Sequence, residues 1–413
     1  MRNNIVVVLL LGLTVLLYSS DINHGAFKFT PYITSYNEYN SNFFYSTNKE
    51  INVIMLKVLP GMKLENRNNR NTELKFSLNA SYKYFISLVS SSKDIVKNNN
   101  DFDVDGSLNL AFFKTGNFSL YTSDDFSKVS YSGYAAPIRK FVNTFNLGIQ
   151  TTPFGKALKF RLGYTFGFNK TIFTDDLSDH TKIASEAQDN MEHDFNFDIE
   201  WRFLPKTALI STTSYGFITH YNADSSISSS LNIVDSTPIM SKLGLLGVIT
   251  PKLALKLFLG WAYVIYDSGN NFNSLITNVE LTYNFSKKTS LVLGFENSFR
   301  DVLFSNYLSY YDVYLNTNIS LTNTLTLGFN IDATLNSYDN VSMGNGVTAS
   351  DSRSEIDGRF SSFVSYNYKS KYKAEVKYSA RKIFTDFTTE YDGNLIRYDY
   401  LQHLISLNFY IFF

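Results

Sequence analysis

The sequence predicts a closed, antiparallel, up-and-down β-barrel of eighteen membrane-crossing strands, and three observations carry that expectation. Apolar and polar residues alternate with a period of two in segment after segment, short and long connections alternate between the segments, and no long apolar run follows residue 20. Period-two alternation over ten or more residues describes strands whose faces meet two different media. Without an apolar helix of about 18 residues or more, a closed set of strands satisfies such a backbone in lipid.

Composition agrees. Aromatics make up 16% of the 413 residues, as 36 Phe, 29 Tyr and 2 Trp, and charged residues only 18%, less than in a typical soluble chain. Lys plus Arg equals Asp plus Glu at 37 each, so no excess of positive charge invites nucleic acid as a partner. Cysteine is absent, which excludes a disulfide scaffold, a zinc-thiolate centre and a lipobox cysteine.

The opening MRNNIVVVLLLGLTVLLYSS carries Arg2, then an apolar run from Ile5 to Leu17 broken by Gly12 and Thr14, then small polar residues. At about 1.5 Å per residue the run is short for a ~30 Å hydrocarbon core. Residues 1–20 therefore read as a signal peptide cut between 19 and 26, and the barrel is expected over 27–413.

The strands can be taken in order. From Asn278, NVELTYNF sets Val279, Leu281, Tyr283 and Phe285 against Asn278, Glu280, Thr282 and Asn284. After SKKT the alternation resumes with Leu291, Leu293, Phe295 and Phe299 against Ser290, Gly294, Glu296 and Arg300. Read throughout this way, strands fall near 27–38, 52–64, 73–86, 102–113, 117–131, 138–150, 157–171, 191–203 and 207–221. The others fall near 237–249, 252–266, 274–285, 289–302, 309–321, 324–338, 355–368, 371–385 and 401–413.

The short connections are NRNNRN, KTG, TPFGK, PK, TP, SKK, TN and KS, most of them with a lysine. The long ones, including 39–51, 87–101, 172–190, 222–236, 339–354 and 386–400, are rich in Asn, Asp, Ser and Thr. Tight periplasmic turns opposite long extracellular loops describe a bacterial outer-membrane barrel. A Greek-key sandwich would not alternate so regularly. The expected partners are the outer-membrane bilayer and the machinery that assembles barrels into it. The terminal strand LQHLISLNFYIFF puts Phe409, Ile411 and Phe413 toward lipid, with Phe413 as the assembly signal.

Eighteen strands enclose a lumen of porin size, and the first strand begins too close to the signal peptide to leave room for an N-terminal plug. Parity turns Lys159, Arg161, Asp194, Asp198, Glu200 and Arg202 inward on strands 7 and 8, and Asp357, Arg359, Lys373, Glu375, Lys377 and Arg381 on strands 16 and 17. Opposite charges on adjacent strands favour pairs that stabilise the wall over an ion-selectivity ladder. The 172–190 connection is the expected constriction.

Other fragments lead to no chemistry. DFDVDG, Asp101–Gly106, opens like a calcium loop but has Phe112 where a bidentate Glu is required. The acidic run Asp175, Asp176, Asp179, Glu186 and Asp189 beside His180 reads as a solvated loop. His193 and His403 have no converging nucleophile, so no catalytic, cofactor or metal site is expected.

Two stretches, FKFTPYITSYNEYNSNFFYS at 27–46 and INVIMLKVLPGMKLE at 51–65, resemble the opening of the second β-barrel porin family. The resemblance implies an outer-membrane pore for hydrophilic solutes, in its sharper version the conduit of an exopolysaccharide or capsule export system with periplasmic export components as partners. A general uptake porin is the alternative, and a structural or adhesive surface barrel the third.

Overall fold

The structure is a computed structural model and describes residues 23–24, 27–43, 51–66, 71–131, 138–153, 157–172, 189–221, 234–302, 305–339, 347–349, 353–369, 371–385, 387–391, 394–397 and 399–413. The expected signal peptide and nearly all of the 172–190 connection lie outside these residues.

Eighteen long strands form the wall. They are β1 Phe27–Asn40, β2 Val53–Asn66, β3 Thr72–Ser87, β4 Asp101–Phe112, β5 Phe118–Tyr131, β6 Ile138–Thr151, β7 Leu158–Ile172, β8 Asn190–Leu204 and β9 Thr207–His220. The second half comprises β10 Ser236–Thr250, β11 Leu253–Tyr266, β12 Phe272–Ser286, β13 Thr289–Val302, β14 Ser305–Ser320, β15 Leu325–Tyr338, β16 Arg353–Tyr368, β17 Tyr372–Phe384 and β18 Tyr400–Phe412. Each strand pairs antiparallel with the next, and β18 closes on β1 with Ile33 opposite Ile411. One short helix, α1 Lys93–Asn98, lies in the β3–β4 connection. A three-stranded sheet of Val347–Ala349, Thr388–Tyr391 and Asn394–Arg397 joins the last two loop-end connections.

The expected strands are all present. Phe413 lies one residue past the β18 ladder, and its backbone N–H still donates to the Pro31 carbonyl at 3.1 Å, tying the chain end to β1. One boundary differs more than the rest: β14 starts at Ser305 instead of 309, so only 303–304 separate it from β13 and the long–short alternation fails there. Ser305, Asn306 and Leu308 are buried, and burial draws them into the strand.

Alternation gives the wall two chemically distinct faces. Leu162, Phe195, Trp201, Leu259, Trp261, Ile331 and Phe409 belong to the apolar, exposed face. The polar face is the concave one, because its side chains reach neighbours two strands away. Tyr32 of β1 donates to Asn79 of β3 across Gly61 of β2, where a Cβ would collide with both. Contacts that skip a strand fit a concave surface, where side chains converge.

Four inward aromatics lie over glycines directly opposite on the neighbouring strand: Tyr121 over Gly148, Phe258 over Gly244, Tyr314 over Gly294 and Phe363 over Gly328. An aromatic ring covers the backbone that a glycine bares, and the pairing fixes register. Gly294→Val would drive a side chain into the Tyr314 ring, and overpacking of this kind costs about 1–3 kcal/mol. We expect a lower urea midpoint for Gly294→Val in lipid-reconstituted protein, with Gly163→Ala, which meets nothing closer than 3.4 Å, as a neutral control. Equal midpoints would mean the ring does not rest on the glycine.

Candidate functional site

The inner wall is doubled at two places. Between β12 and β13 the ladder runs from the turn end to Thr277 opposite Asn297 and stops there. β13 and β14 stay paired with each other past Asp301 opposite Tyr307 to Val302 opposite Ser305, with a register shift between the last two pairs. Beyond the break, residues of β13 and β14 that share the outward parity meet inward residues of β10, β11 and β12. Phe299 stacks on Phe272 with ring centroids 4.4 Å apart, and Tyr307 meets Phe272 edge-on at 5.0 Å. Tyr266 Oη donates to Asp301 at 2.6 Å and Ser236 Oγ donates to it at 3.1 Å. Glu192 of β8 and His220 of β9 also lie within electrostatic reach of Asp301. Outward residues can touch the inner face of the preceding strands only if the β13–β14 tip has folded into the barrel.

The sequence supports this locally. The segment WAYVIY, Trp261–Tyr266, is apolar on both faces, as a strand covered on both sides should be. Ala262, Val264, Tyr266, Phe272 and Ile276 form a buried inner cluster beneath the tip. At the break, Asn297 Nδ2 donates to the Leu275 carbonyl at 2.9 Å and takes the place of a missing ladder partner. Asn306 Nδ2 holds the tip to the Ser268 and Asn270 carbonyls at 2.8 and 3.1 Å.

The second doubling lies between β4 and β5, whose ladder ends at Val104 opposite Lys128. Past it, Ser130 and Arg139, both of outward parity, meet the inward carboxylates of β4. The Ser130 N–H and Oγ donate to Asp103 at 2.8 and 2.7 Å, and Arg139 Nε donates to Asp101 at 2.5 Å. Lys83 bridges Asp103 at 2.7 Å and the Ser130 carbonyl at 2.7 Å. Lys57 and Lys128 stand 3.8 Å from Asp103 and Asp101. Beside this tip α1 covers the inner faces of β2 and β3, with Val96 packed among Phe43, Ile51, Val53 and Phe85. β5 to β12, eight of the eighteen strands, separate the two doublings, so they nearly face each other across the lumen.

The twelve inward charges expected from parity all share the polar face, most of them engaged with neighbouring strands. Lys159 stands opposite Glu200 and pairs with it, while Arg202 reaches the same carboxylate at 2.7 Å. Arg161 stands opposite Asp198 and donates to Gln150 Oε1 at 3.0 Å, and Asn196 donates to Asp194 at 2.8 Å. Arg359 and Arg381 both hold Asp357, each through Nε at 3.0 Å. Lys373 pairs with Glu375 at 2.7 Å, and Lys377 lies within electrostatic reach of Glu38 on β1. Lys159–Glu200 and Arg381–Asp357 cross between strands and brace the wall, whereas Arg202–Glu200, Arg359–Asp357 and Lys373–Glu375 lie along single strands.

The two doublings themselves were not among the expectations. The constriction was expected from the 172–190 connection, nearly all of which lies outside the described residues. Asp301 could have signalled the β13–β14 tip, since it is an acid in line with Leu291, Leu293 and Phe295 on a lipid-facing register. Asp101 and Asp103 of DFDVDG serve as ion-pair partners. His193 and His403 each face outward with Nδ1 at 2.8 and 2.9 Å from a tyrosine hydroxyl, Tyr164 and Tyr378 respectively. Beside the β12–β13 break a niche of about 250 Å³ opens among Lys242, Lys256, Phe258, Asn278, Glu296 and Ser298.

No family model matches the chain, and no curated protein matches it. Among solved structures it is similar to the outer-membrane protein OpdK of Pseudomonas aeruginosa crystallised with vanillate, at TM-score 0.51 and 9% identity, covering 93% of this chain and 99% of OpdK. A second OpdK structure matches at TM-score 0.50 and 10% identity over the same shares. The likeness is one of fold, a bacterial outer-membrane barrel, and the fold implied by the porin-family resemblance is the one found.

The chain has no native cysteine, which makes the doubling directly testable. Cysteines replacing Ser236 and Asp301 are expected to join under mild oxidation, with a mobility shift on non-reducing gels. Cysteines replacing Ser211, on the outward face of β9, and Asp301 should not. Cross-linking of the second pair and not the first would refute the inward fold.

Proposed function

We propose that the protein is an outer-membrane diffusion channel for small hydrophilic solutes, narrowed by its own wall. The observation that carries the reading is the pair of inward-folded tips, nearly opposed in a barrel of porin size. Among the described residues, the segments that cover the inner wall are these tips and α1. A passage so narrowed, with paired charges of both signs along it, suits solutes that move as single molecules. The niche at the β12–β13 break offers Lys242 and Lys256 beside Phe258 and Asn278, a resting place for a small organic acid. Vanillate, present in the OpdK crystal, is a suitable probe.

The fold likeness to OpdK supports uptake over glycan export. A constriction built from the wall also suits a small solute better than a polymer chain. The reading assigns the lumen charges to passage and bracing, with no catalytic step.

Purified protein in planar bilayers is expected to conduct. Combining Phe299→Ala with Asp301→Ala removes the stack on Phe272 and the acceptor for Tyr266 and Ser236, so single-channel conductance should rise. Lys242→Gln with Lys256→Gln should weaken any block of the current by vanillate. A folded protein that conducts in neither form would overturn the channel reading and favour a structural or adhesive barrel.

A further inference from the structure

The chain is neutral overall, but its charges are sorted by end. The eight turns that join even-numbered strands to the next odd strand contain ten Lys or Arg and no Asp or Glu. The connections at the other end contain sixteen acidic and five basic residues. In the structure, Lys114, Lys206, Lys252, Lys287, Lys288, Lys369 and Lys371 are exposed at the turn end. The turns at 67–70 and 156 add Arg67, Arg70 and Lys156 in sequence.

The backbone at these turns completes the wall. The carbonyls of Lys206, Lys252, Lys288 and Lys371 accept ladder-closing N–H groups at 2.7 to 3.1 Å. The side chains are mostly left over. Lys114 pairs with Glu73, and Lys369 lies 5.0 Å from the Tyr368 ring. Lys206, Lys252, Lys287, Lys288 and Lys371 form no ion pair among the described residues. Exposed aromatics stand beside them: Phe113 and Phe118 near Lys114, Trp201 and Phe203 near Lys206, Phe285 near Lys287, and Tyr368 and Tyr372 near Lys369 and Lys371.

We propose that this ring is a binding surface for the phosphate headgroups of anionic phospholipids in the leaflet at the turn end. Three features favour a lipid leaflet as the occupant. Seven of the eight turns carry the charge, so it encircles the barrel, as a leaflet does, where a docked globular partner would meet one side. The lysines sit level with the exposed aromatics that mark a membrane interface. Their side chains are long enough to reach up from that level to phosphates. The proposal does not depend on the channel reading.

The test uses the whole barrel, verified as folded by heat-modifiable mobility, in phosphatidylcholine membranes with trace spin-labelled phosphatidylglycerol or phosphatidylcholine. A lysine near an anionic surface contributes about 1 kcal/mol, so the phosphatidylglycerol label should associate about five-fold better in 10 mM salt. The preference should fade at 1 M salt, where the screening length falls to about 3 Å. Gln at 206, 252, 287, 288, 369 and 371 should abolish it and Arg should preserve it. If the six-site variant fails to fold, Lys287→Gln with Lys288→Gln should lower the preference in part. Equal association of the two labels at low salt would overturn the proposal, as would a wild-type preference in folded Gln variants. Retention of the folded barrel on a soluble sulfated polymer with no lipid preference would reassign the ring to a polyanion of the periplasm.

Discussion

Every backbone N–H and C=O that enters lipid must find its partner within the chain, and the rest of this structure follows from that constraint. Pairing β18 with β1 removes the last open edge. Once the ladder is closed, the chain can interrupt it only where something else supplies the missing partners. Both interruptions do so with side chains: Asn297 donates to the Leu275 carbonyl, and the Asp103 carboxylate receives the Ser130 N–H. The two breaks are thus compatible with a sealed wall, and each releases a hairpin tip to fold inward.

The barrel was legible in the sequence because its signal is local and repeated. Val279, Leu281 and Tyr283 against Glu280 and Thr282 declare two faces without reference to any other strand, and closure follows from the turns. That Lys159 faces Glu200 was legible for the same reason. Parity alone puts Lys159 and Glu200 on one face, and adjacency in sequence order makes them neighbours. The doublings could not be read this way. Nothing local says that Phe299, in line with lipid-facing Leu293 and Phe295, will instead stack on Phe272 of the inner face. That contact depends on where a ladder stops, which is a property of two strands and their neighbours together. The nearest traces were apolar residues on both faces of Trp261–Tyr266 and an acid at position 301, each ambiguous alone.

Inside the barrel, pairing consumes most of the fixed charge that parity delivers. Asp357 is almost fully buried and carries two guanidinium groups, and Glu200 carries a lysine and an arginine. A carboxylate buried in this way is stable only while its cations remain, since removing one leaves charge without compensation. The paired wall charges therefore belong to the stability of the inner wall.

The two tips reach the same geometry by opposite chemistry, and this decides how each can respond to its surroundings. The β13–β14 tip rests on stacked rings and on hydroxyls that donate to Asp301, contacts in which apolar area dominates and salt matters little. The β5 end rests on Asp101 and Asp103, held between Lys57, Lys83, Lys128 and Arg139. Exposed ion pairs weaken as ionic strength rises, but buried ones are screened far less. Asp103 is 5% exposed and its partner Lys83 12%, which places that pair among the buried, whereas Lys128 and Arg139 are more open, at 31% and 26%. The ionic seam is thus graded, firm at Asp103 and looser toward its outer end, and the aromatic seam across the lumen is the more uniform of the two.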